Sequence, residues 1–309
     1  MSSRWWLNVG LALVIVIMGL VVIFKPGTHK SPPIPPLTSL SMEAITHIRL
    51  QRPDQPEIDL EKSGDHWFMT APRKARANGF RINELLHLAV AKIATHFSAP
   101  TAELGRYGLD KPRAELWLND QKISFGGPHP LNPDFYILYN GSVYLVPEHF
   151  DNAATGRPSD FFSTRLINTA DKPVAFSLPG LHLTRKPDGS WQVTPPNKDL
   201  STDRVNQFVD EWRYAEALSV TPYSGRPVID HIRITFVPRT AGSSENKPAP
   251  TAAAAGTSPG PKTLAAAPEE LDLGILARKP ELILYRHDEG LEYHFPAEMA
   301  TQLLQLKPD

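Results

Sequence analysis

The 309 residues contain no cysteine. This excludes disulfides, thiolate metal sites, a cysteine nucleophile and a lipid-modified N-terminal cysteine. An excess of either charge is lacking as well. The formal net charge is -1, so there is no basic balance of the kind a nucleic-acid partner requires. The familiar catalytic signatures are missing: neither a Gly-x-Ser-x-Gly elbow nor a Gly-x-x-x-x-Gly-Lys phosphate loop occurs. Glycoside hydrolysis needs two carboxylates facing each other across a cleft, and no pattern pairs Asp160, Asp171 or Glu211 in that way. No catalytic, cofactor-binding or metal-ligating residue is assigned from the sequence.

Proline, by contrast, is abundant: 31 residues in 309, twice the usual share of about 5 %. Leu7–Phe24 is an uncharged run of 18 residues, 13 of them Leu, Ile, Val or Phe. As a helix it would span roughly 27 Å, close to the ~30 Å hydrocarbon core of a bilayer, with Trp5 and Trp6 at headgroup level. A cleaved signal peptide is the competing reading, but Lys25-Pro26-Gly27 follows instead of an Ala-x-Ala site. The expectation is a single-pass anchor through Leu7–Phe24. Arg4 before the run and Lys25 and Lys30 after it nearly balance. The short head is expected in the cytoplasm and the large body outside, which is the periplasm in a Gram-negative cell. Ser31–Leu37 then reads as a semi-rigid polyproline spacer.

Beyond the spacer the chain repeats itself. Trp67, Thr70 and Pro72 lead to Arg81-Ile82-Asn83, and Trp191, Thr194 and Pro195 lead to Arg204-Val205-Asn206, with 16 and 15 residues from tryptophan to asparagine. In the first copy, alternation predicts strands over 45–52, 57–60 and 67–70. A helix capped by Asn78 is predicted next, with Ile82, Leu85, Leu86, Ala89, Ile93 and Phe97 on its buried face. Strands over 114–118, 122–125, 135–139 and 143–146 follow, turning at Asn119-Asp120 and Asn140-Gly141, and a short helix begins near Glu148. The second copy predicts strands over 174–178, 181–186 and 191–194. Its helix follows Ser201, with Val205, Phe208, Val209, Trp212 and Leu218 buried. Strands over 231–237, 271–277, 281–286 and 291–295 and a last helix to Leu306 complete it. The Ala/Pro-rich stretch 238–268 falls where the repeat demands a hairpin turn, and it has too little apolar content to order itself. At a surface tip, each doubling of loop length costs only about 0.6 kcal/mol.

Gly108-Leu109-Asp110-Lys111-Pro112, Ile123-Ser124-Phe125-Gly126, the Tyr136–Val146 hairpin and Asp160-Phe161-Phe162 followed by Arg165-Leu166 resemble a bacterial domain-of-unknown-function family. Its members are usually membrane-anchored and often accompany the auxiliary component of a gliding-motility-type ABC transport system. The resemblance covers about residues 42–306 and carries no catalytic residues over. What it implies is a membrane or periplasmic protein partner, such as an ABC transport system.

Several side chains invite chemistry. Glu148, His149 and Asp151, with His129 upstream, form the closest metal-like set, but His149 and Asp151 are two apart rather than four. His287-Asp288-Glu289 resembles an acid–base cluster yet sits where a turn is expected. His294 is expected on a solvent face. Gly126-Gly127 reads as a bulge or turn, and Asn140-Gly141-Ser142 as a hairpin turn that happens to fit a glycosylation sequon. Trp67 and Trp191 read as duplicated core anchors. Tyr136, Tyr139, Tyr144, Tyr285 and Tyr293 are strand residues, some of them facing solvent.

The expected fold is α+β: two tandem repeated modules, each an antiparallel sheet with one main packed helix, after the N-terminal transmembrane helix. The boundaries are 1–30 for head and anchor, 31–41 for the spacer, 42–154 for the first module, 155–170 for the connection and 171–309 for the second module. The expected function is a non-catalytic accessory or scaffold of an envelope or ABC-type transport system, with no cofactor and no nucleic acid. A lipid or glycan binder using a groove between the modules is the alternative, and a hydrolase the third reading.

Overall fold

The computed structural model describes residues 3–24, 34–168, 170–237 and 269–308. The Ala/Pro-rich stretch 238–268 and residues 31–33 of the spacer lie outside the described residues. Helix α1 runs from Ser3 to Phe24. Among the described residues no helix is long and apolar enough to cross a membrane; the anchor reading rests on the Leu7–Phe24 run as a whole.

The first sheet is built from β1 (His47–Gln51), β2 (Ile58–Ser63), β3 (His66–Ala71) and β4 (Ala75–Arg76), then, after helix α2 (Gly79–Val90), from β5 (His96–Ser98), β6 (Ala114–Leu118), β7 (Gln121–Pro128), β8 (Asp134–Tyr139) and β9 (Ser142–Pro147). Helix α3 (Glu148–Thr155) follows. The second sheet comprises β10 (Pro173–Leu178), β11 (Leu181–Arg185) and β12 (Trp191–Thr194), then helix α4 (Thr202–Tyr214), β13 (Ser219–Pro222), β14 (Asp230–Phe236), β15 (Glu269–Ala277), β16 (Leu282–Arg286) and β17 (Leu291–Phe295), with α5 (Ala297–Leu304) last.

The strand orders are β4-β3-β2-β1-β6-β7-β8-β9-β5 and β12-β11-β10-β14-β15-β16-β17-β13, antiparallel throughout. Without β4 the two orders coincide strand for strand. The helices correspond as well: α2 packs on α3, and α4 on α5. Alternation places Ile48 and Leu50 of β1 and Leu116 and Leu118 of β6 in the core. The same period buries Ile232, Ile234 and Phe236 of β14. Burying these branched side chains against a helix is the main favourable term in such a layered fold.

Local signals explain the element ends. The Asn78 side chain accepts from Phe80 N–H, and the Ser201 hydroxyl accepts from Arg204 N–H, each at the N-cap of its helix. Asn140 and Gly141 take φ of 50° and 76° between β8 and β9, the turn that suits twisted strands. Gly126 is required by close approach: a Cβ there would lie 2.3 Å from the Tyr107 carbonyl oxygen. The register of β7 on β8 shifts between Phe125 and Pro128, the bulge expected at Gly126-Gly127.

Four expectations are corrected. Helix α2 ends at Val90 rather than reaching Phe97. The chain leaves at Ala91 in extended conformation, and Phe97 pairs with Val143 as part of edge strand β5. Leu218 does not sit on the buried face of α4; it lies beyond the helix, 75 % exposed, at the entry to β13. In both copies apolar residues past the helix end continue its period by chance, and ladder bonds to the neighbouring strand override it. The last residues of the Pro-rich stretch join the body: Leu37 is buried, and its N–H donates to the Ala91 carbonyl. Finally, Trp67 and Trp191 are only half-buried at the margin of the core. The fully buried indole is Trp212, whose N–H donates to the Leu303 carbonyl at 2.9 Å.

Candidate functional site at the joint between the sheets

The two sheets meet edge to edge. β4 lies at the end of the first sheet and β13 at the end of the second. Between them runs the connecting segment. Asn78 N–H donates to the Phe161 carbonyl and Ser163 N–H to the Arg76 carbonyl, with a bridge between Ala77 and Phe162. On the other side Ala217 N–H donates to the Thr164 carbonyl, and Arg165 bridges Glu216. Backbone hydrogen bonds thus continue from β3 through β4, the connection and residues 216–217 into β13.

The joint is sealed where the two copies differ. Among the described residues β4 has no counterpart in the second sheet. The β8–β9 loop is the two residues between Tyr139 and Ser142, whereas the β16–β17 loop is the four between Arg286 and Leu291. The longer loop carries Glu289 onto Arg76 of β4. Arg76 Nε donates to Glu289 Oε1 at 2.6 Å, and its backbone N–H reaches the same oxygen at 3.2 Å. Arg76 Nη2 donates to the Tyr293 hydroxyl at 3.0 Å and the Arg165 carbonyl at 2.7 Å, and Nη1 donates to Asn168 Oδ1 at 3.2 Å. Tyr293 donates its proton to Glu289 Oε2 at 2.6 Å. Arg286 stands 3.5 Å from Glu289 and grips Asp288 with two bonds of 2.8 Å. Arg76, Glu289 and Tyr293 are all buried.

The electrostatics follow from the packing. Burial pushes the Glu289 carboxyl up, but Arg76 and Arg286, with the hydrogen bonds from Arg76 and Tyr293, outweigh it and leave the pKa below its ordinary value. For Asp288 burial is likewise overcome by the Arg286 hydrogen bond and charge. Burial raises the Tyr293 phenol. A carboxylate held ionised and a phenol held neutral, each with its partners satisfied, form a clamp rather than an acid–base pair. His287-Asp288-Glu289 is a turn, as its residue types suggest, and also the interface residue source. The sequence carried one signal for this role: the second copy of the hairpin is two residues longer than the first.

Beside the clamp lies an open cleft of about 830 Å³. Trp67, Phe68 and Phe80 offer aromatic surface to it, and Lys62, Asn83 and Asn168 line it as well. Phe80 is 69 % exposed. Arg165 and Glu216, paired at 2.6 Å, line the side of the connection.

The other sequence candidates stay apart from this site. Asp151 is buried on α3 against Arg113 at 3.1 Å; burial raises its pKa and Arg113 lowers it, with a net rise. The His149 ring lies tilted against Phe150, and that of His129 against Tyr136. Asp160 closes the turn onto Arg157 N–H, and Glu211 pairs with Arg204. His294 is not on an open face: it is half-buried, with Nδ1 3.2 Å from Glu281 and Nε2 3.1 Å from Thr221. Of the tyrosines, Tyr139 and Tyr293 are buried, whereas Tyr136, Tyr144 and Tyr285 are half-exposed.

The family model described as a domain of unknown function, DUF4340, matches residues 67–224, about half of the chain. The match runs from β3 of the first sheet across the joint to just past β13 of the second. No curated protein and no solved structure matches.

Proposed function

The chain belongs to the DUF4340 family, and from that premise we propose that it is a membrane-anchored, non-catalytic scaffold of the cell envelope, an accessory of an ABC-type transport system. The observation that carries this reading is the joint. Two sheets are tied by continuous backbone bonds and by a buried clamp whose charges are committed to one another. Such an arrangement holds two surfaces at a constant angle, which is what a scaffold requires. The anchor in this reading is the uncharged Leu7–Phe24 run as a whole, within α1; its 18 residues would span about 27 Å as a helix. Leu11, Leu13, Ile15 and Ile17 are all at least half exposed, with nothing of the body over them. Water penalises that apolar surface and hydrocarbon accepts it. In this reading the N-terminus lies in the cytoplasm and the sheets in the periplasm, because a short head is easier to leave behind than a large folded body while the flanking charges nearly balance.

Crosslinking in native membranes followed by mass spectrometry tests the proposal. Recovery of a transport-system subunit through residues of the two sheets is the expected result. Recovery of the chain in the aqueous fraction, without any membrane partner, would overturn it. A second reading, glycan binding, is favoured by the cleft beside the clamp. Its lining mixes aromatic faces with amides and charges, which suits a sugar better than a lipid tail.

A further inference from the structure

The repeated tryptophan and asparagine belong to a larger constellation that occurs once per module. In the first module Lys62 stands directly across from Trp67 in the β2–β3 ladder. Asn83 and Leu86 follow the N-cap Asn78 by five and eight residues. All four line the cleft of about 830 Å³. In the second module Arg185 stands directly across from Trp191 in the β11–β12 ladder. Asn206 and Val209 follow the N-cap Ser201 by the same five and eight residues. These four line a separate cleft of about 500 Å³. Each cleft thus has an indole, a cation, an amide and an aliphatic floor in matching places.

Packing explains the indole and the aliphatic residue but not the cation and the amide. Asn83, Asn206 and Arg185 are exposed. The side chains of Lys62, Asn83 and Asn206 have no hydrogen-bond partner among the described residues, and Arg185 reaches only the Gly189 carbonyl, at 3.5 Å. The half-burial of both tryptophans leaves indole surface beside these groups. The surroundings then diverge. The second cleft adds Lys172, which has no acidic partner among the described residues, and Arg213, which is paired with Asp210 at 3.0 Å. The first cleft instead gathers Glu43, Asp65 and Glu216.

We propose that each module is a binding unit for an anionic saccharide. The C–H face of a sugar ring stacks on Trp67 or Trp191, a carboxylate or phosphate on the sugar meets Lys62 or Arg185, and the Asn83 or Asn206 amide, both donor and acceptor, takes a hydroxyl. The second cleft binds the acid more tightly because Arg185 and Lys172 have no acidic partner among the described residues and its one carboxylate, Asp210, is paired with Arg213, whereas Glu43, Asp65 and Glu216 line the first. This rests on the glycan-binding reading: it keeps the cleft beside the clamp as one site and adds a second site in the other module, two per chain.

The test is calorimetry and tryptophan fluorescence on the full-length chain in detergent micelles, with tetragalacturonate as the probe. Two sites of unequal affinity are expected. Arg185→Gln should weaken the tighter site about tenfold, the scale of a lost charge-assisted hydrogen bond. Lys62→Gln should weaken the other, and neither should change the melting temperature, because neither side chain is buried. Neutral cellotetraose should bind about tenfold more weakly than the acid at each site. Tetragalacturonate affinity unchanged in both variants would overturn the proposal while leaving glycan binding elsewhere intact. Equal binding of cellotetraose would remove the anion from it. Binding only to phosphatidylglycerol vesicles would replace the saccharide by a lipid headgroup, and no binding to any of these probes would overturn the glycan reading with it.

Discussion

Replacing Arg76 by methionine tests whether the clamp holds the two sheets together. Arg76 makes five hydrogen bonds to partners on the connection and the second sheet: two to the Glu289 carboxylate by its side chain, and one each to Tyr293, Arg165 and Asn168. Without its side chain a buried carboxylate keeps only the backbone N–H of residue 76, the Tyr293 hydroxyl and Arg286 at 3.5 Å. Removing one partner of a buried pair costs about 3–5 kcal/mol, because the remaining charge is left uncompensated. Arg286 places Arg76→Met near the lower end of that range. Arg76→Met combined with Glu289→Met removes both charges. The double variant should therefore be more stable than Arg76→Met alone by at least about 1 kcal/mol, even though the Arg165 and Asn168 acceptors lose their donor. Urea unfolding of the full-length chain in micelles, followed by tryptophan fluorescence, measures both values. A single variant within about 0.5 kcal/mol of the parent, or a double variant no better than the single, would refute the argument.

The same clamp has a pH signature. The folded pKa of Glu289 lies below its ordinary 4.5, so its stabilisation is present above the unfolded value and is lost as pH falls through the folded one. The parent should exceed Glu289→Gln in stability at neutral pH, and the gap should narrow only below pH 4.5. A gap that closes instead between pH 6 and 8 would point to another group.

Two further perturbations report on the fold. Gly126→Ala drives a Cβ to 2.3 Å from the Tyr107 carbonyl; the backbone must shift, at a cost of about 3 kcal/mol, seen as a fall in melting temperature by circular dichroism. Asn78→Ala and Ser201→Ala each remove an N-cap bond and should cost about 1 kcal/mol. They lie in different modules, so the double variant should show their sum in urea melts.

The repeat, its strand order and its main helices are legible in the sequence because they are written in local chemistry: alternation at period two, Asn-Gly and Asn-Asp turns, and an Asn or Ser at each helix start. The α2 boundary was not, since Ile93 and Phe97 keep the helical period after the chain has turned to pair with β9. Edge strands β4, β5 and β13, of two, three and four residues, are too short to carry a period. Their bonding depends on which chain lies alongside, and that is a tertiary fact. The pairing of Arg76 with Glu289 joins residues 213 positions apart, and neither residue type nor spacing foretells it. Only the folded chain, in which an extra strand of one copy meets a lengthened turn of the other, brings those charges out of water together. Local chemistry along the chain sets what each module is; how the two are joined, and that their tryptophans stay half open to a cleft, follows from packing between elements far apart in the chain.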